Sequence, residues 1–292
     1  MYTTLVLSAG GIRGVAYAGA LQELVESGVL DLESITLFAG TSIGAAVACF
    51  LAVGFTPDEL YEMATTIDLN DLVQINLASL LYKWGLDDQR HVREFLSQRI
   101  EKKVGDPKIS FATLRVQRGC NLRVCSSNIT TNKPVYFCAD TAPDMPIIDA
   151  VLMRRALPPL FTPIRYGGDE CNPDMYIDGA FLDSFPVAGL DPTTTIGLRL
   201  RWDVAFDLNS IERYFSRICF VALNFAEKHG ATAPSSMCVV DIDAGDVSTI
   251  NFQVPRWTIL QLIRDGRQAV QRKFRAVTGP AGLAPCAGVP SI

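Results

Sequence analysis

The sequence predicts an α/β fold, a three-layer α/β/α sandwich around a mainly parallel central sheet. Two repeats of one pattern predict it. The apolar run 3–8 ends in a glycine-rich turn at 10–14, and a helical pattern follows. The apolar run 34–39 ends in a second turn at 40–44, before an alanine-rich helix. Strands and helices that alternate in this way are typical of parallel sheets with helices on their faces.

The remaining elements follow in order along the chain. The strongest signal for a helix start is at residues 56–59. Thr56 can cap the helix, Pro57 suits its first turn and Glu59 can complete a capping box. Apolar periodicity predicts helices over 15–25, 45–53, 57–67, 88–103, 147–157, 212–228 and 258–274. Short β-favouring runs predict further strands over 122–126, 134–138, 175–177 and 195–200. The helix at 147–157 should stop at Pro158, because proline cannot donate to the helical ladder.

Length and composition bound the class of protein. The 292 residues suit one domain over 1–278, and the Gly-, Ala- and Pro-rich segment 279–292 is expected to be a flexible tail. The formal net charge of −5 argues against nucleic acid as a partner. The chain has eight scattered cysteines, no CxxC pair and two histidines, so we expect a reduced, cytoplasmic protein without a metal or cofactor. The first residues lack the pattern of a signal peptide, and no apolar run is long enough to span a bilayer.

The turn at 40–44 (GTSIG) matches the pattern G-x-S-x-G. A sharp turn from a strand into a helix projects the central serine outward, and flanking glycines such as Gly40 and Gly44 let the neighbouring backbone approach. The positive end of the following helix also lies beside the serine. Ser42 is therefore a candidate nucleophile, and the alternative is a plain tight turn with a capping serine.

A serine nucleophile needs a base, and three residues are candidates. His91 lies on the polar side of a predicted helix, and His229 stands at a predicted helix C-terminus, where a cation is favoured without any catalytic role. Asp178 follows a short apolar run and precedes Gly179 and Ala180, so its carboxylate can stand at a strand end. A desolvated site would raise its pKa and make it a better base. The Asp-Gly pair is equally typical of a hairpin turn, and the sequence leaves both interpretations open.

The glycine-rich loop at 8–14 (SAGGIRG) allows two interpretations. A dinucleotide fingerprint requires G-x-G-x-x-G and an acidic residue at the end of the next strand, and the chain lacks both. An oxyanion hole requires outward-pointing backbone amides beside a nucleophile. The amides near Gly10, Gly11 and Ile12 are candidates for it, because Ser42 ends the neighbouring strand.

These three elements stand in one order along the chain: GGIRG at 10–14, GTSIG at 40–44 and DGA at 178–180. Together they resemble the patatin-like phospholipase family over roughly residues 4–200. The resemblance implies a lipid acyl hydrolase with a Ser42–Asp178 dyad and no catalytic histidine. Ser42 would attack a fatty-acyl ester, Asp178 would act as its base, and the loop of Gly10, Gly11 and Ile12 would bind the oxyanion.

The resemblance also implies supporting roles and leaves alternatives. Arg13 and Gly14 would support the loop, and Arg13 would either fix it structurally or face the phosphate of a phospholipid substrate. A transacylase or thioesterase with the same dyad, and a catalytically silent lipid-binding protein, are the alternatives. The chain departs from the family at Ser8-Ala9, where Asp-Gly is usual, and at Arg154-Arg155, which are bulkier and more basic than the resemblance implies.

The segment 256–275 is a candidate for peripheral membrane contact. It carries a formal charge of +5, because Asp265 opposes six basic residues: Arg256, Arg264, Arg267, Arg272, Lys273 and Arg275. Apolar residues interleave with them, as in a basic amphipathic helix on an anionic membrane. The alternative, a terminal helix that packs on the sheet with a solvated basic face, is favoured.

Overall fold

The computed structural model describes residues 1–169, 172–201, 211–229, 232–245 and 254–275. The predicted tail 279–292 lies outside them. Within the described residues, a mainly parallel central sheet is flanked by helices, which confirms the predicted α/β class. No helix in this part of the chain is both long and apolar enough to cross a bilayer.

The strands are β1 (Thr4–Leu7), β2 (Leu37–Thr41), β3 (Asn121–Asn128), β4 (Lys133–Phe137), β5 (Ile164–Arg165), β6 (Met175–Asp178), β7 (Thr195–Arg201) and β8 (Cys238–Asp243). The helices are α1 (Ala16–Glu26), α2 (Ile43–Ala52), α3 (Pro57–Thr66), α4 (Leu77–Lys83), α5 (Arg90–Val104), α6 (Phe111–Arg118), α7 (Ile147–Met153), α8 (Ile211–His229) and α9 (Arg256–Arg275). Short 3₁₀ helices cover Gly11–Val15, Leu32–Ser34, Leu69–Leu72 and Gly179–Phe181.

The sheet has a parallel part and an antiparallel edge. Strands β3, β2, β1, β7 and β8 are neighbours in that order, and each adjacent pair is parallel. Strands β4 and β6 pair with β3 in the antiparallel sense, and β5 pairs with β6. Because β1 and β2 lie at the centre, the loops at their carboxyl ends meet where ligands usually bind in such sheets.

Strand β3 places the ends of β2 and β6 next to each other. Thr41 of β2 is opposite Cys125, and Asp178 of β6 is opposite the next residue, Ser126. Strand β4 pairs with residues 124–128 of β3, and some of these residues also pair with β2 and the others with β6. Each strand has two edges, so β4 must lie on the edge of β3 opposite to β2 and β6. Strands β2 and β6 therefore follow one another along a single edge of β3.

The core is divided unequally between the two faces of the sheet. Alternate residues of β1 point to opposite faces, so Leu5 and Leu7 join the larger cluster, which α1 and α2 cover, and Val6 joins a smaller one. Helix α9 packs along α1, and its residues Leu262 and Val270 are buried in the larger cluster. The favoured interpretation of segment 256–275, a helix packed on the body of the protein, agrees with this position.

Several predicted boundaries change. The capping box at Thr56 and Glu59 is confirmed, with both reciprocal hydrogen bonds present. The helix predicted over 147–157 ends at Met153, because the N–H groups of Arg155 and Ala156 bond to carbonyls three residues back, in a tighter turn, and not four residues back as in an α-helix. Sequence patterns missed β5, β8, α4 and α6. The Asp-Gly pair at 178–179 forms no hairpin turn but opens a 3₁₀ helix.

Candidate active site

Ser42 stands at the turn between β2 and α2 in a strained backbone conformation. Its φ is 51° and its ψ is −129°, a combination that residues other than glycine seldom adopt. A side chain at Gly40 would overlap the backbone of Gly44, and one at Gly44 would overlap the carbonyl oxygen of Leu7. The two glycines therefore allow the sharp turn, and the serine hydroxyl reaches the cavity described below.

Asp178 meets Ser42 at the end of β6. The Ser42 hydroxyl donates a hydrogen bond of 2.7 Å to Oδ2 of Asp178. The backbone N–H of Ala180 donates to Oδ1 at 2.9 Å, which fixes the orientation of the carboxylate. A side chain at Gly179 would overlap the carbonyl oxygen of Cys125, so β6 could not approach β3 as closely with another residue there.

The carboxylate of Asp178 is buried, and burial raises its pKa to about 6. The hydrogen bonds from Ala180 and Ser42 and the positive charge of Arg154 lower the pKa, but less than burial raises it. A carboxylate with such a pKa is ionised at neutral pH and accepts a proton more readily than an aspartate in water. The pair can therefore activate a hydroxyl without a histidine.

The glycine-rich loop lies beside this pair. Gly11 has a φ of 57°, which glycine adopts without strain, and the 3₁₀ helix 11–15 begins there. The N–H groups of Gly10, Gly11 and Ile12 form no hydrogen bond within the described residues. These three residues and Gly14 line the same cavity as Ser42. Such free N–H groups at a helix N-terminus can bind an oxyanion.

The first two residues of this loop, Ser8 and Ala9, hold it against the sheet. The backbone N–H of Ala9 donates to the carbonyl of Ser184 at 2.8 Å. The hydroxyl of Ser8 accepts a hydrogen bond of 3.0 Å from the N–H of Leu200, and Tyr17 donates to the carbonyl of Ser8 at 2.8 Å. The departure from Asp-Gly at these positions thus leaves a loop with several buried anchors.

A largely apolar cavity of about 260 Å³ extends from Ser42. Its apolar walls come from α1, α2, α3, α5 and α8, and include Ala18, Phe50, Met63, Phe95 and Phe220. Among the residues that the structure describes, the polar side chains in the lining are few, and they are Ser42, Asp178, Ser184, Arg154 and Arg155. A pocket of this composition suits a hydrocarbon chain whose polar end reaches the dyad.

Other predicted residues lie apart from the cavity. Arg13 is fully buried and does not line it, so the structural role of Arg13 fits its position better than a contact with substrate. His91 lies on α5 and is not part of the lining either. His229 ends α8, and its side chain lies outside what the structure describes.

The sequence patterns also missed part of the lining. Phe220 on α8 and Leu60 on α3 contribute walls, but nothing in their local pattern separates a cavity wall from ordinary core. Arg154 and Arg155 carried a signal, since two basic residues before Pro158 interrupt an otherwise apolar segment.

Comparisons with known proteins identify the family to which the chain belongs. A family model for patatin-like phospholipase matches residues 5–191. The chain is 31% identical over 191 residues to the probable lipid hydrolase 463L of invertebrate iridescent virus 6, covering 64% of this chain and 62% of that protein. It is 30% identical over 207 residues to the uncharacterized protein YqhO of Bacillus subtilis, covering 64% of this chain and 66% of YqhO. The chain thus spans a little less than two thirds of the length of these relatives.

The crystal structure of VipD from Legionella pneumophila has a similar fold. The TM-score is 0.65 at 18% sequence identity, and the match covers 94% of this chain and 67% of VipD. At this identity the likeness concerns the fold alone.

Proposed function

The chain belongs to the patatin-like phospholipase family, and on that premise we propose that it is a lipid acyl hydrolase of the phospholipase A type. The proposal names Ser42 as nucleophile and Asp178 as base, with a covalent acyl-enzyme between the two half-reactions. The observation that carries it is the 2.7 Å hydrogen bond from Ser42 to Asp178 at the polar end of an apolar cavity.

In the first half-reaction, Ser42 Oγ attacks the ester carbonyl carbon while Asp178 Oδ2 takes the hydroxyl proton. The carbonyl oxygen becomes an oxyanion, which the N–H groups of Gly10, Gly11 and Ile12 would stabilise. Collapse of this intermediate breaks the bond to the alcohol, which leaves with the proton from Asp178. One oxyanion donor typically contributes about a hundredfold to a thousandfold in rate.

In the second half-reaction, water replaces the alcohol. Asp178 takes a proton from the water, which attacks the acyl carbon, and the fatty acid leaves as Ser42 recovers its proton. The same steps with another alcohol as acceptor would give transacylation, so the acceptor decides between the two activities.

The test compares the wild type with Ser42→Ala and Asp178→Asn on mixed phospholipid vesicles, by release of free fatty acid. We expect release by the wild type and a loss of at least about a thousandfold in both variants, because each removes one half of the proton transfer. His91→Ala is the matched control and should retain activity.

Full activity of Asp178→Asn together with an inactive His91→Ala would assign the base to the histidine. No release by the wild type from vesicles, lysophospholipids or simple esters would favour a silent lipid-binding protein. Formation of acylated alcohol in the presence of glycerol would identify a transacylase.

Peripheral membrane contact through 256–275 is a separate proposal. Fewer side chains of this segment are available to a membrane than the sequence implied. The apolar face of α9 packs against α1, and within the described part of the chain Trp257 and Leu260 are the large apolar side chains that remain exposed near its start. Exposed Arg272 and Lys273 stand near its end. Replacing both basic residues with Gln should weaken binding to anionic vesicles in sedimentation, and unchanged binding would contradict the proposal.

A further inference from the structure

Two neighbouring arginines, Arg154 and Arg155, line the same cavity as the dyad, directly after α7. Arg154 is only 5% exposed. Its Nε, and Nη1 of Arg155, are buried and have no hydrogen-bond partner within the described part of the chain. A buried cation without a partner costs free energy, so such a group is normally matched by an anion.

The walls of the cavity supply less negative charge than these arginines need. Asp178 is the one acidic residue that lines the cavity in the described part of the chain, and its two oxygens already accept hydrogen bonds from Ser42 and Ala180. Asp87 acts electrostatically on Arg155, but its Oδ2 accepts the backbone N–H of Gln74 at 2.8 Å. The dyad end of the cavity is therefore net positive while the remainder is mainly apolar.

Arg155 is also held in one orientation. The carbon of its guanidinium lies 3.9 Å from the centroid of the Phe161 ring, which is a stacking distance. Phe161 itself lines the cavity. A guanidinium held by stacking keeps its N–H groups pre-organised, which lowers the entropic cost of binding an anion.

We infer that Arg154 and Arg155 form a subsite for a phosphate group, next to the dyad and distinct from the glycine-rich loop. Two guanidinium groups in the lining of one cavity can offer several N–H donors to a compact tetrahedral anion, and such charge-assisted hydrogen bonds are the strong ones. This inference rests on the proposed function, because it names the substrate class: a fatty-acyl ester that carries a phosphate, in preference to a neutral glyceride.

A purely structural role for these arginines predicts something different. A cation after the last turn of a helix is favoured by the helix dipole. In that role, replacement of Arg154 would affect folding and would lower the activity on every substrate equally. The phosphate subsite predicts a loss that depends on the substrate.

The first experiment uses two soluble esters that differ only in the phosphate-bearing headgroup, dihexanoylphosphatidylcholine below its micellar concentration and dihexanoylglycerol. Arg154→Gln and Arg155→Gln should each lower kcat/KM on the phospholipid by about tenfold to a hundredfold. At pH 8, above the acid limb set by Asp178, the change on dihexanoylglycerol should stay within about threefold. Arg264→Gln, an exposed arginine on α9, is the matched control and should change neither value.

Arg155→Lys keeps the charge and should recover part of the activity on the phospholipid, and it serves as the second variant if Arg154→Gln does not fold. Equal losses on both esters, or no loss on the phospholipid, would overturn the inference.

The second experiment separates this inference from the proposed function, because it needs no turnover. Calorimetric titration of the Ser42→Ala protein with dihexanoylphosphatidylcholine should show binding that weakens at least about tenfold when Arg154→Gln is added. Inorganic phosphate, titrated in the same way, shows whether the site also takes the free anion or only the lipid headgroup. Binding of hexanoate that depends on Arg154 more strongly than either phosphate probe would assign the site to a carboxylate and overturn the phosphate inference.

Discussion

Gly19 of α1 lies directly against the backbone carbonyl of Ile263 on α9, so closely that a methyl group at Gly19 would overlap the carbonyl oxygen. Gly266 approaches the carbonyl of Ala16 from the opposite helix in the same way. The two helices pack without side chains between them at these points. Segment 256–275 is therefore part of the body of the protein.

This contact predicts a loss of stability from one added methyl group. Gly19→Ala should lower the free energy of unfolding by about 1–3 kcal/mol, because α9 must move away from α1. Chemical denaturation measures the change. Gln268→Ala on the exposed side of α9 is the control and should have little effect. A stable Gly19→Ala protein would mean that the helices are less closely packed in solution.

The pKa of Asp178 predicts the acid limb of activity. Burial raises this pKa to about 6, and only the ionised form can accept the proton of Ser42. On dihexanoylglycerol, kcat/KM should therefore fall as the pH is lowered through about 6. Arg154→Gln removes a positive charge that lowers the pKa of Asp178, so the limb should move to higher pH. A limb that stays in place in this variant would exclude Arg154 as an influence on the base.

The same burial predicts a cost in stability at neutral pH. The folded-state pKa of Asp178, about 6, lies above the value of about 3.9 for an aspartate in water. Ionised Asp178 therefore destabilises the folded state, and the cost is absent below about pH 4, grows up to about pH 6 and is then constant. Because each unit of pKa shift corresponds to 1.36 kcal/mol, the full cost to the folded state is about 3 kcal/mol.

Asp178→Asn removes this charge, so its stability relative to the wild type should rise between pH 4 and 7. Denaturation curves at several pH values measure the difference, with exposed Asp144→Asn as the control. A difference that does not change with pH would contradict the raised pKa.

The close contact of the glycine-rich loop with β7 predicts a loss of activity that a second substitution partly restores. A methyl group at Gly10 would overlap Cδ1 of Leu200 on β7. Gly10→Ala should displace the loop and lower kcat by about tenfold to a hundredfold, with a smaller change in KM, because oxyanion donors act in the transition state. Leu200→Val in the same protein removes Cδ1 and should recover part of kcat. If the second substitution recovers nothing, the loss has another cause.

The wall of the cavity predicts chain-length selectivity. Met63 on α3 lines the cavity, and a tryptophan there would fill part of its 260 Å³. Met63→Trp should lower the ratio of activity on palmitoyl to hexanoyl esters by about tenfold. Tyr61→Trp, on the exposed side of the same helix, is the control. An unchanged ratio would place the acyl chain outside this cavity.

The sequence predicted those features that depend on local patterns. The turn around Ser42 was recognisable because a strand, a glycine-flanked serine and a helix are consecutive. The capping box was recognisable because its two residues, Thr56 and Glu59, are only three positions apart in the sequence. In contrast, β8 was missed, because its alternation of apolar and charged residues is short and its burial depends on pairing with β7.

The contact between Ser42 and Asp178 could not be predicted from local sequence patterns. Local pattern left Asp178 as either a base or a hairpin residue, and only the family resemblance joined it to Ser42. The contact depends on the register of β6 on β3, which is a long-range pairing that no local pattern encodes. The same limit applies to Arg154, whose burial in the cavity wall follows from the end of α7 and the β6 contact at Ala156.

The shared edge of β3 also has a consequence during synthesis of the protein. Ser42 is made 136 residues before Asp178, and the two meet only after β6 has been added beyond the end of β2. On the proposed mechanism, a chain still growing on the ribosome, or one that has lost β6, holds the serine without its base. Such a chain would hydrolyse no ester, and hydrolysis would begin only once β6 has paired with β3.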